Sequence, residues 1–278
     1  MNVFALKIIA LASMFIDHLG VVFPERFGLE FRVAGRLAFP IFAFLLAEGF
    51  RHTRSPQKYL ARLGIFALVS EPVFDLAQNA DWQGMERFGL RFALDSVNFF
   101  ADTNIFYTLF LAGIAVCCFD YLAERTSELA SAEPKEPGIV AMKPPALRFV
   151  QRFGLDFAMA AAAIVASLVV ADVLTTDYGA YGVMFVALMF VMKSKAARLF
   201  FMVLMGALQH ADLAQIILRG FGHMLPLAYL LMIPATVLPA LLVAFYNGRR
   251  GPSHKMAFYA AYPGHLALLA AAAAIVHS

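Results

Sequence analysis

Residues 14–62 read MFIDHLGVVFPERFGLEFRVAGRLAFPIFAFLLAEGFRHTRSPQKYLAR, and this stretch decides the fold. It consists of two apolar segments with ionisable side chains that a lipid-facing helix should exclude: Asp17 and His18 in the first, Arg36 and Glu48 in the second. Burying one such group in hydrocarbon costs about 3 kcal/mol or more, so these residues usually face the interior of a helix bundle. Several of them in one short stretch favour a functional site over an accident of packing.

The composition predicts a membrane protein. Of 278 residues, 62% are hydrophobic and 15% are charged, whereas a soluble domain is about half apolar and about a quarter charged. The net charge of +3 is small and lies in short loops, which argues against a nucleic-acid partner. The two cysteines, Cys117 and Cys118, are adjacent in an apolar run, and no metal-ligand spacing or disulfide framework is present. We therefore expect no bound metal.

Apolar runs long enough to cross a bilayer predict an all-α, polytopic membrane bundle with about nine spans. The spans are expected at residues 3–23, 33–50, 59–77, 104–122, 154–174, 180–192, 199–218, 221–246 and 256–275. The N-terminus lacks a clear cleavage site, so the first run is interpreted as a retained span and not as a signal peptide. The whole chain, 1–278, is expected to form a single membrane domain with one flexible, proline-rich cytoplasmic linker at residues 123–152.

The distribution of Lys and Arg predicts the orientation. The loops after spans 2, 6 and 8 are basic and poor in acid, whereas those after spans 3 and 5 carry most of the loop aspartates. Basic loops stay on the cytoplasmic side. Nine alternating spans with a cytoplasmic N-terminus place every strongly basic loop inside.

His18 is the candidate catalytic residue. It lies 15 residues into the first span, which is roughly 22 Å from the inner end at the rise of an α-helix, near the level at which Arg36 enters the second span. A neutral imidazole there can act as a general base that a nearby Asp17 or Arg36 tunes. Asp17 points about 100° away from His18 around the helix. The alternative is that these three residues form a structural polar knot between helices.

A basic cluster follows the second span: Arg51, Arg54, Lys58 and Arg62. The preference for basic residues on the cytoplasmic side explains them equally well. If the segment is helical, however, Arg54, Lys58 and Arg62 lie four residues apart on one face and offer several donors to phosphates.

Three further positions give weaker signals. Asp177 and Tyr178 either close the outer mouth of the bundle or form a simple turn. His265 lies in the last span, where a lone histidine is more often a packed, hydrogen-bonded residue than a ligand.

Six blocks of the chain, taken in order, resemble successive blocks of the TraX family: IDHLGVVFP, GRLAFPIFAFLLAEGFRHTR, KYLARLGIFALVSEPVFDLA, TDYGAYGV, LPALLVAFYNGRRG and YPGHL. The members of that family are membrane proteins linked to N-terminal acetylation of F-type conjugative pilin. The family is in turn similar to multi-span acyltransferases, which include the acyltransferase-3 enzymes and the lysosomal glucosaminide N-acetyltransferase. Those enzymes use a membrane-embedded histidine and a cytosolic acyl-CoA.

The resemblance implies an acetyltransferase of the bacterial inner membrane. It would move an acetyl group from acetyl-CoA to an amine or hydroxyl on the outer face, such as the N-terminus of a pilin. His18 and Asp17 match the IDH block and Arg36 matches GRLAFP, which makes them the expected catalytic residues. The basic cluster would meet the phosphates of CoA. Glu48, Asp177, Tyr178 and His265 would belong to a substrate or secondary site. The sequence leaves open whether acetyl passes directly to the amine or first rests on His18.

Two other classes of function fit the same residues. A proton- or ion-coupled transporter also buries Asp, His, Glu and Arg in the membrane and uses kinked helices, although the chain shows no repeat between its halves. A non-catalytic factor for the assembly of pili or envelope proteins is the second alternative.

Overall fold

A computed structural model describes residues 1–82, 89–131, 145–210 and 227–277. Throughout these ranges the regular secondary structure is α-helical, and no strand occurs in them. The prediction of an all-α protein is therefore confirmed.

The described helices follow the apolar runs of the sequence. Their bounds are α1 Val3–Val22, α2 Pro24–Gly35, α3 Ala38–His52, α4 Pro56–Gln78, α5 Leu90–Asp95, α6 Ile105–Ser131, α7 Pro145–Val173, α8 Gly179–Val191, α9 Lys195–His210, α10 Leu227–Ala244 and α11 Lys255–His277.

Five stretches of helix among the described residues are long and apolar enough to cross a membrane. They are Val3–Val22, Glu30–His52, Ile105–Glu128, Gly154–Val173 and Lys255–His277. α4 has 23 residues but includes four ionisable side chains along its length, and α8 has only 13 residues. The protein is thus a multi-pass membrane protein by its helices, and the count of nine spans stays a prediction.

Two boundaries differ from those expected. The stretch predicted as a loop at residues 24–32 is helical in α2, which begins with Pro24 in its first turn, where a proline loses no helical hydrogen bond. The linker predicted at 123–152 is helical at both ends, because α6 continues to Ser131 and α7 begins at Pro145. Residues 132–144 lie outside the described residues.

The N-terminus and the turn after α10 meet at one end of the bundle. The amide of Val3 donates to the carbonyl of Arg249 at 3.0 Å, and the amide of Asn247 donates to the carbonyl of Met1 at 2.9 Å. Gly251 has a φ of +72°, and a Cβ at this position would lie 2.8 Å from the side chain of Asn2. Only glycine allows both the left-handed backbone and this close approach. The first and last long helices therefore start side by side.

The opposite end is held by the turn between α7 and α8. The amide of Asp177 donates to the carbonyl of Thr103 at 2.9 Å, and the hydroxyls of Thr108 and Thr176 lie 2.9 Å apart. Between the two ends, α3 is the most enclosed helix. It packs on α1, α6 and α8, while α11 packs on α1 and α4. This arrangement brings α1, α3, α4 and α11 around one interior space.

Candidate active site

Two histidines from the first and last helices meet inside the bundle. Nδ1 of His18 in α1 lies 2.6 Å from Nε2 of His265 in α11, and the two ring planes differ by only 5°. His18 is 5% exposed. The two residues are 247 positions apart in the chain, so the pair is a product of the tertiary fold.

The hydrogen bonds around the pair assign its tautomers. Nδ1 of His265 lies 3.0 Å from the carbonyl oxygen of Ala261, which can only accept, so this nitrogen carries a proton. In the neutral ring, Nε2 of His265 is then an acceptor, and Nδ1 of His18 must be the donor to it. Nε2 of His18 is left with a lone pair, and it makes no hydrogen bond to any described residue. The arrangement positions one basic nitrogen.

Asp17 faces away from this pair, toward α2. Its Oδ2 accepts a hydrogen bond of 2.8 Å from Nη1 of Arg32, and its side chain lies directly against Gly35, where a Cβ would approach within 2.2 Å. Ser13, one turn earlier, donates to the carbonyl of Ala34 at 2.6 Å. Asp17 therefore fixes α2 against α1, and the expected separation of Asp17 from His18 around the helix is present.

Arg36, Asp17 and Asp177 belong to a second polar group, beyond His18 toward the end of the bundle that holds the α7–α8 turn. Arg36 lies in the break between α2 and α3, within electrostatic range of both carboxylates. The side chain of Asp177 reaches solvent. The protein atoms packed around it nevertheless remove part of its hydration and raise its pKa to about 6. The negative charge of Asp17 adds to this effect, and the positive charges of Arg36 and Arg32 oppose it. The group holds two acids and two bases with access to solvent.

Tyr178 has a packing role and is not part of an open binding surface. Its ring stacks on that of Phe39 in α3, with centroids 3.7 Å apart and planes 11° apart. This contact fixes the α7–α8 turn over the start of α3 and so holds Asp177 near Arg36.

An elongated cavity of about 370 Å³ runs between α1, α3, α4 and α11. Its walls are mainly apolar and include Leu11, Leu45, Leu63 and Leu109. One end reaches Met14 and Tyr262. Met14 is one helical turn before His18 on the same face of α1, and the ring of Tyr262 lies 6.0 Å from that of His18. The cavity thus ends next to the histidine pair, whose two rings are not themselves part of its lining.

The other end of the cavity is basic. Four cationic residues, from α1, α4 and the segment before and at the start of α11, line it: Lys7, Arg62, Arg250 and Lys255. Lys7 lies within electrostatic range of both Arg250 and Lys255, and in the described part of the chain none of these three forms an ion pair with a carboxylate. Uncompensated like charges around a cavity mouth favour an anionic ligand.

The four basic residues predicted to bind phosphate are placed differently from one another. Arg62 lines the cavity, whereas Arg54 and Lys58 are exposed and lie outside its lining. The expected common helical face is wrong for Arg54, because Ser55 caps α4 and Pro56 starts it. Nη2 of Arg51 donates to the carbonyls of Met189, Phe190 and Met192, at 2.7 Å for Met192. Arg51 therefore satisfies the last carbonyls of α8.

Glu48 lines the cavity near its basic end and is already paired. Its Oε1 accepts a hydrogen bond from Nη1 of Arg198 at 2.5 Å, and Nη1 of Arg51 lies 3.6 Å from the same oxygen. Nε2 of His52 lies 3.6 Å from the other oxygen. Glu48 joins α3 to α9 and does not approach the histidine pair.

The sequence reasoning missed several residues that line this cavity. Lys7 is a single charge in the apolar run of α1, a signal that could have marked it. Tyr262 precedes His265 by three residues, which places the two on one face of a helix. Arg250 lies in the last basic turn and Lys255 follows it, and only the fold shows that they lie near Lys7.

Comparisons with known proteins identify the family of the chain. The family model described as "TraX protein" matches residues 3–272. A curated relative from Dichelobacter nodosus, named "Probable fimbrial assembly protein FimC, serogroup H1", is 30% identical over 286 residues, which covers 98% of this chain and 95% of that protein. No solved structure matches the chain. The match over nearly the whole length shows that this protein belongs to the TraX family.

Proposed function

We propose that the protein is a membrane-embedded acetyltransferase that moves an acetyl group from cytosolic acetyl-CoA to an amine on the outer face. One observation carries the proposal: the His18–His265 pair presents a single basic nitrogen beside the end of a cavity whose mouth is basic. The enzyme class, the acyl donor and the acceptor all rest on this reasoning.

The cavity fits the chemistry of the acyl donor. Lys7, Arg62, Arg250 and Lys255 would hold the phosphates of acetyl-CoA through charge-assisted hydrogen bonds. The apolar walls suit the pantetheine arm, and a volume of about 370 Å³ lies within the range of small-molecule sites. The donor supplies an activated thioester carbonyl, so the protein has no covalent chemistry to provide beyond positioning and proton transfer.

His18 supplies the base. An amine attacks a thioester only after it has lost its extra proton, and a positioned imidazole with a free lone pair is suited to that task. The nitrogen of the acceptor forms a bond to the acetyl carbon, and the bond from that carbon to sulfur breaks. The extra proton of the ammonium passes to Nε2 of His18 and from there to the leaving sulfur, and the second proton, which the nitrogen loses as the amide forms, is released to the solvent. His265 holds the tautomer of His18 and is a positioning residue.

The group around Asp177 would receive the acceptor. An acceptor amine arrives as an ammonium ion, and an exposed carboxylate attracts it. Arg32 forms an ion pair with Asp17, whereas Asp177 forms none with a described residue and would be the carboxylate that binds a cation. Asp17 would thereby support acceptor binding by fixing the position of α2, and Arg36 would support it by its charge.

The acceptor that fits best is the N-terminus of a pilin-type protein. The curated relative is named as a probable fimbrial assembly protein, and fimbrial subunits are exported, so their amines become available outside the cytoplasm. On this proposal the protein would lie in the bacterial inner membrane with its N-terminus in the cytoplasm, where the basic mouth of the cavity would meet acetyl-CoA.

The name of that relative also supports a second function, a non-catalytic assembly factor. An assay with purified protein in nanodiscs and labelled acetyl-CoA separates the two. A peptide with a free N-terminal amine should gain the label, whereas the same peptide with a blocked N-terminus should not. Absence of transfer to either peptide would contradict the acetyltransferase. In sealed vesicles, accumulation of acetyl-CoA without transfer would point instead to a transporter.

A further inference from the structure

Tyr262 occupies the end of the cavity beside the two histidines. It lies in α11 and is 3% exposed, yet it belongs to the lining of the cavity. Its ring meets that of His18 edge-on at 6.0 Å and that of His265 at 5.5 Å. The ring of Tyr262 is therefore adjacent to both imidazoles.

The hydroxyl of Tyr262 is buried and has no hydrogen-bond partner among the described residues. The amide of Ile105, the first residue of α6, faces the same oxygen without closing a hydrogen bond to it. An amide can only donate, so the phenol proton has no acceptor in either case. A buried hydroxyl left unpaired costs about 1–3 kcal/mol, and such a group calls for a specific explanation.

The ring of Tyr262 lies in a buried wall, and the carboxylates of Asp177 and Glu71 act on its hydroxyl only through space, without a hydrogen bond. The ring of Phe106 packs against Tyr262 edge-on, at 5.2 Å between centroids and 89° between planes. In such surroundings a hydrogen bond from a neutral phenol to a developing negative charge is far stronger than in water. The missing acceptor is thus best supplied by a ligand whose oxygen gains charge during a reaction.

We infer that the Tyr262 hydroxyl donates a hydrogen bond to the carbonyl oxygen of the transferred acyl group. This inference rests on the proposed acetyl transfer. As the amine nitrogen bonds to the acyl carbon, the electron pair of the carbonyl double bond moves onto its oxygen, and Tyr262 stabilises that charge. The phenol keeps its proton throughout. When the bond to sulfur breaks, the electron pair returns and restores the carbonyl.

The test compares Tyr262→Phe with Tyr181→Phe. Both substitutions remove one hydroxyl from a tyrosine, but the hydroxyl of Tyr181 donates to the carbonyl of Met205 at 2.8 Å, and Tyr181 does not line the cavity. Tyr262→Phe should lower kcat for acetyl transfer by ~10²–10³-fold, the usual loss for one oxyanion donor. The KM for acetyl-CoA should change by less than about threefold, because the contact strengthens only in the transition state. Tyr181→Phe should keep the wild-type kcat.

Two readouts do not depend on turnover. The first is the infrared carbonyl stretch of bound S-acetonyl-CoA, a ketone analogue that cannot transfer its acyl group. A hydrogen bond from Tyr262 lowers this frequency in the wild type, so Tyr262→Phe should raise it and Tyr181→Phe should leave it unchanged. The second is thermal unfolding. Removing an unpaired hydroxyl should leave the Tm of Tyr262→Phe equal to or above that of the wild type, whereas Tyr181→Phe loses a formed hydrogen bond and should unfold at a lower temperature.

Wild-type kcat together with an unshifted carbonyl frequency in Tyr262→Phe would overturn the inference. A lower Tm with a proportional loss of both kcat and analogue binding would also overturn it, since that result marks a structural hydroxyl. If the wild-type protein itself neither binds acetyl-CoA nor transfers acetyl, the proposed function fails, and this outcome differs from either result above.

Discussion

The imidazoles of His18 and His265 lie in nearly one plane, joined by a distance of 2.6 Å between Nδ1 and Nε2. The carbonyl of Ala261 completes a chain of three groups, because Nδ1 of His265 approaches it at 3.0 Å. In that chain each donor has one acceptor, and the last free acceptor is Nε2 of His18. The geometry is that of a base held by a second histidine through its other nitrogen.

His265 should contribute by orienting His18. His265→Ala removes the acceptor of Nδ1 and frees the ring of His18 to rotate or change tautomer, so kcat should fall by about 10-fold or more, as for other groups that orient a functional imidazole. His265→Gln keeps an amide oxygen that can accept the hydrogen bond, and it should recover part of the loss. Acetyl-transfer rates at matched expression test this order, and equal rates for the two variants would contradict the positioning role.

The mouth of the cavity should bind the phosphates of acetyl-CoA. Arg250→Ala should raise the apparent KM for acetyl-CoA by about tenfold, the loss expected for one charge-assisted hydrogen bond. Arg249→Ala is the matched control, since Arg249 is the preceding residue of the same exposed turn but does not line the cavity. Added salt should raise the apparent KM of the wild type for acetyl-CoA, as Arg250→Ala does.

Arg54 and Lys58, which the sequence predicted to bind the phosphates, are the alternative site for acetyl-CoA. Arg54 and Lys58 are exposed outside the cavity lining. If Arg54→Ala and Lys58→Ala raise KM while Arg250→Ala does not, the phosphates bind at the α3–α4 turn and the cavity mouth is not the donor site.

Arg51 should act on stability. It donates to three carbonyls at the end of α8. Arg51→Ala removes this donor, although Nε of Arg198 still donates to the carbonyl of Met192, and should lower the free energy of unfolding by about 1–3 kcal/mol. The affinity of the folded variant for CoA should stay at the wild-type value. Thermal unfolding and equilibrium binding of CoA measure the two effects separately, and a loss of affinity without a loss of stability would return Arg51 to the donor site.

Asp177 should attract the ammonium form of the acceptor in a pH-dependent way. Its pKa is raised to about 6, so the side chain is neutral well below pH 6 and negative above it. The KM for the amine in Asp177→Asn, divided by that of the wild type, should be close to one at low pH and should rise as the pH passes through that pKa. Both proteins contain His18, so its own titration cancels in the ratio. A ratio that is independent of pH would contradict this role.

The sequence predicts much of this arrangement, for physical reasons that are local. An ionisable side chain inside an apolar run costs free energy if it faces lipid. This reason is sufficient to identify His18, Asp17 and Arg36 from the sequence. The end of the first apolar run before Pro24 was also predictable, although the helix α2 that begins there was expected to be a loop. The pairing of His18 with His265 was not predictable in this way, because it depends on how α1 packs on α11 across 247 residues. The closeness of Lys7 to Arg250 was not predictable for the same reason, because it also depends on how distant parts of the chain pack together.

The role of His18 as a base is the central claim, and His18→Gln tests it most directly. Glutamine can keep one hydrogen bond of the polar group but cannot take up a proton near neutral pH. The variant should still insert, fold and bind CoA at the basic mouth, while kcat for acetyl transfer should fall by at least ~10²-fold. Acetyl transfer at the wild-type rate by His18→Gln, at matched expression, would contradict the account and leave the histidine pair as a structural contact between α1 and α11.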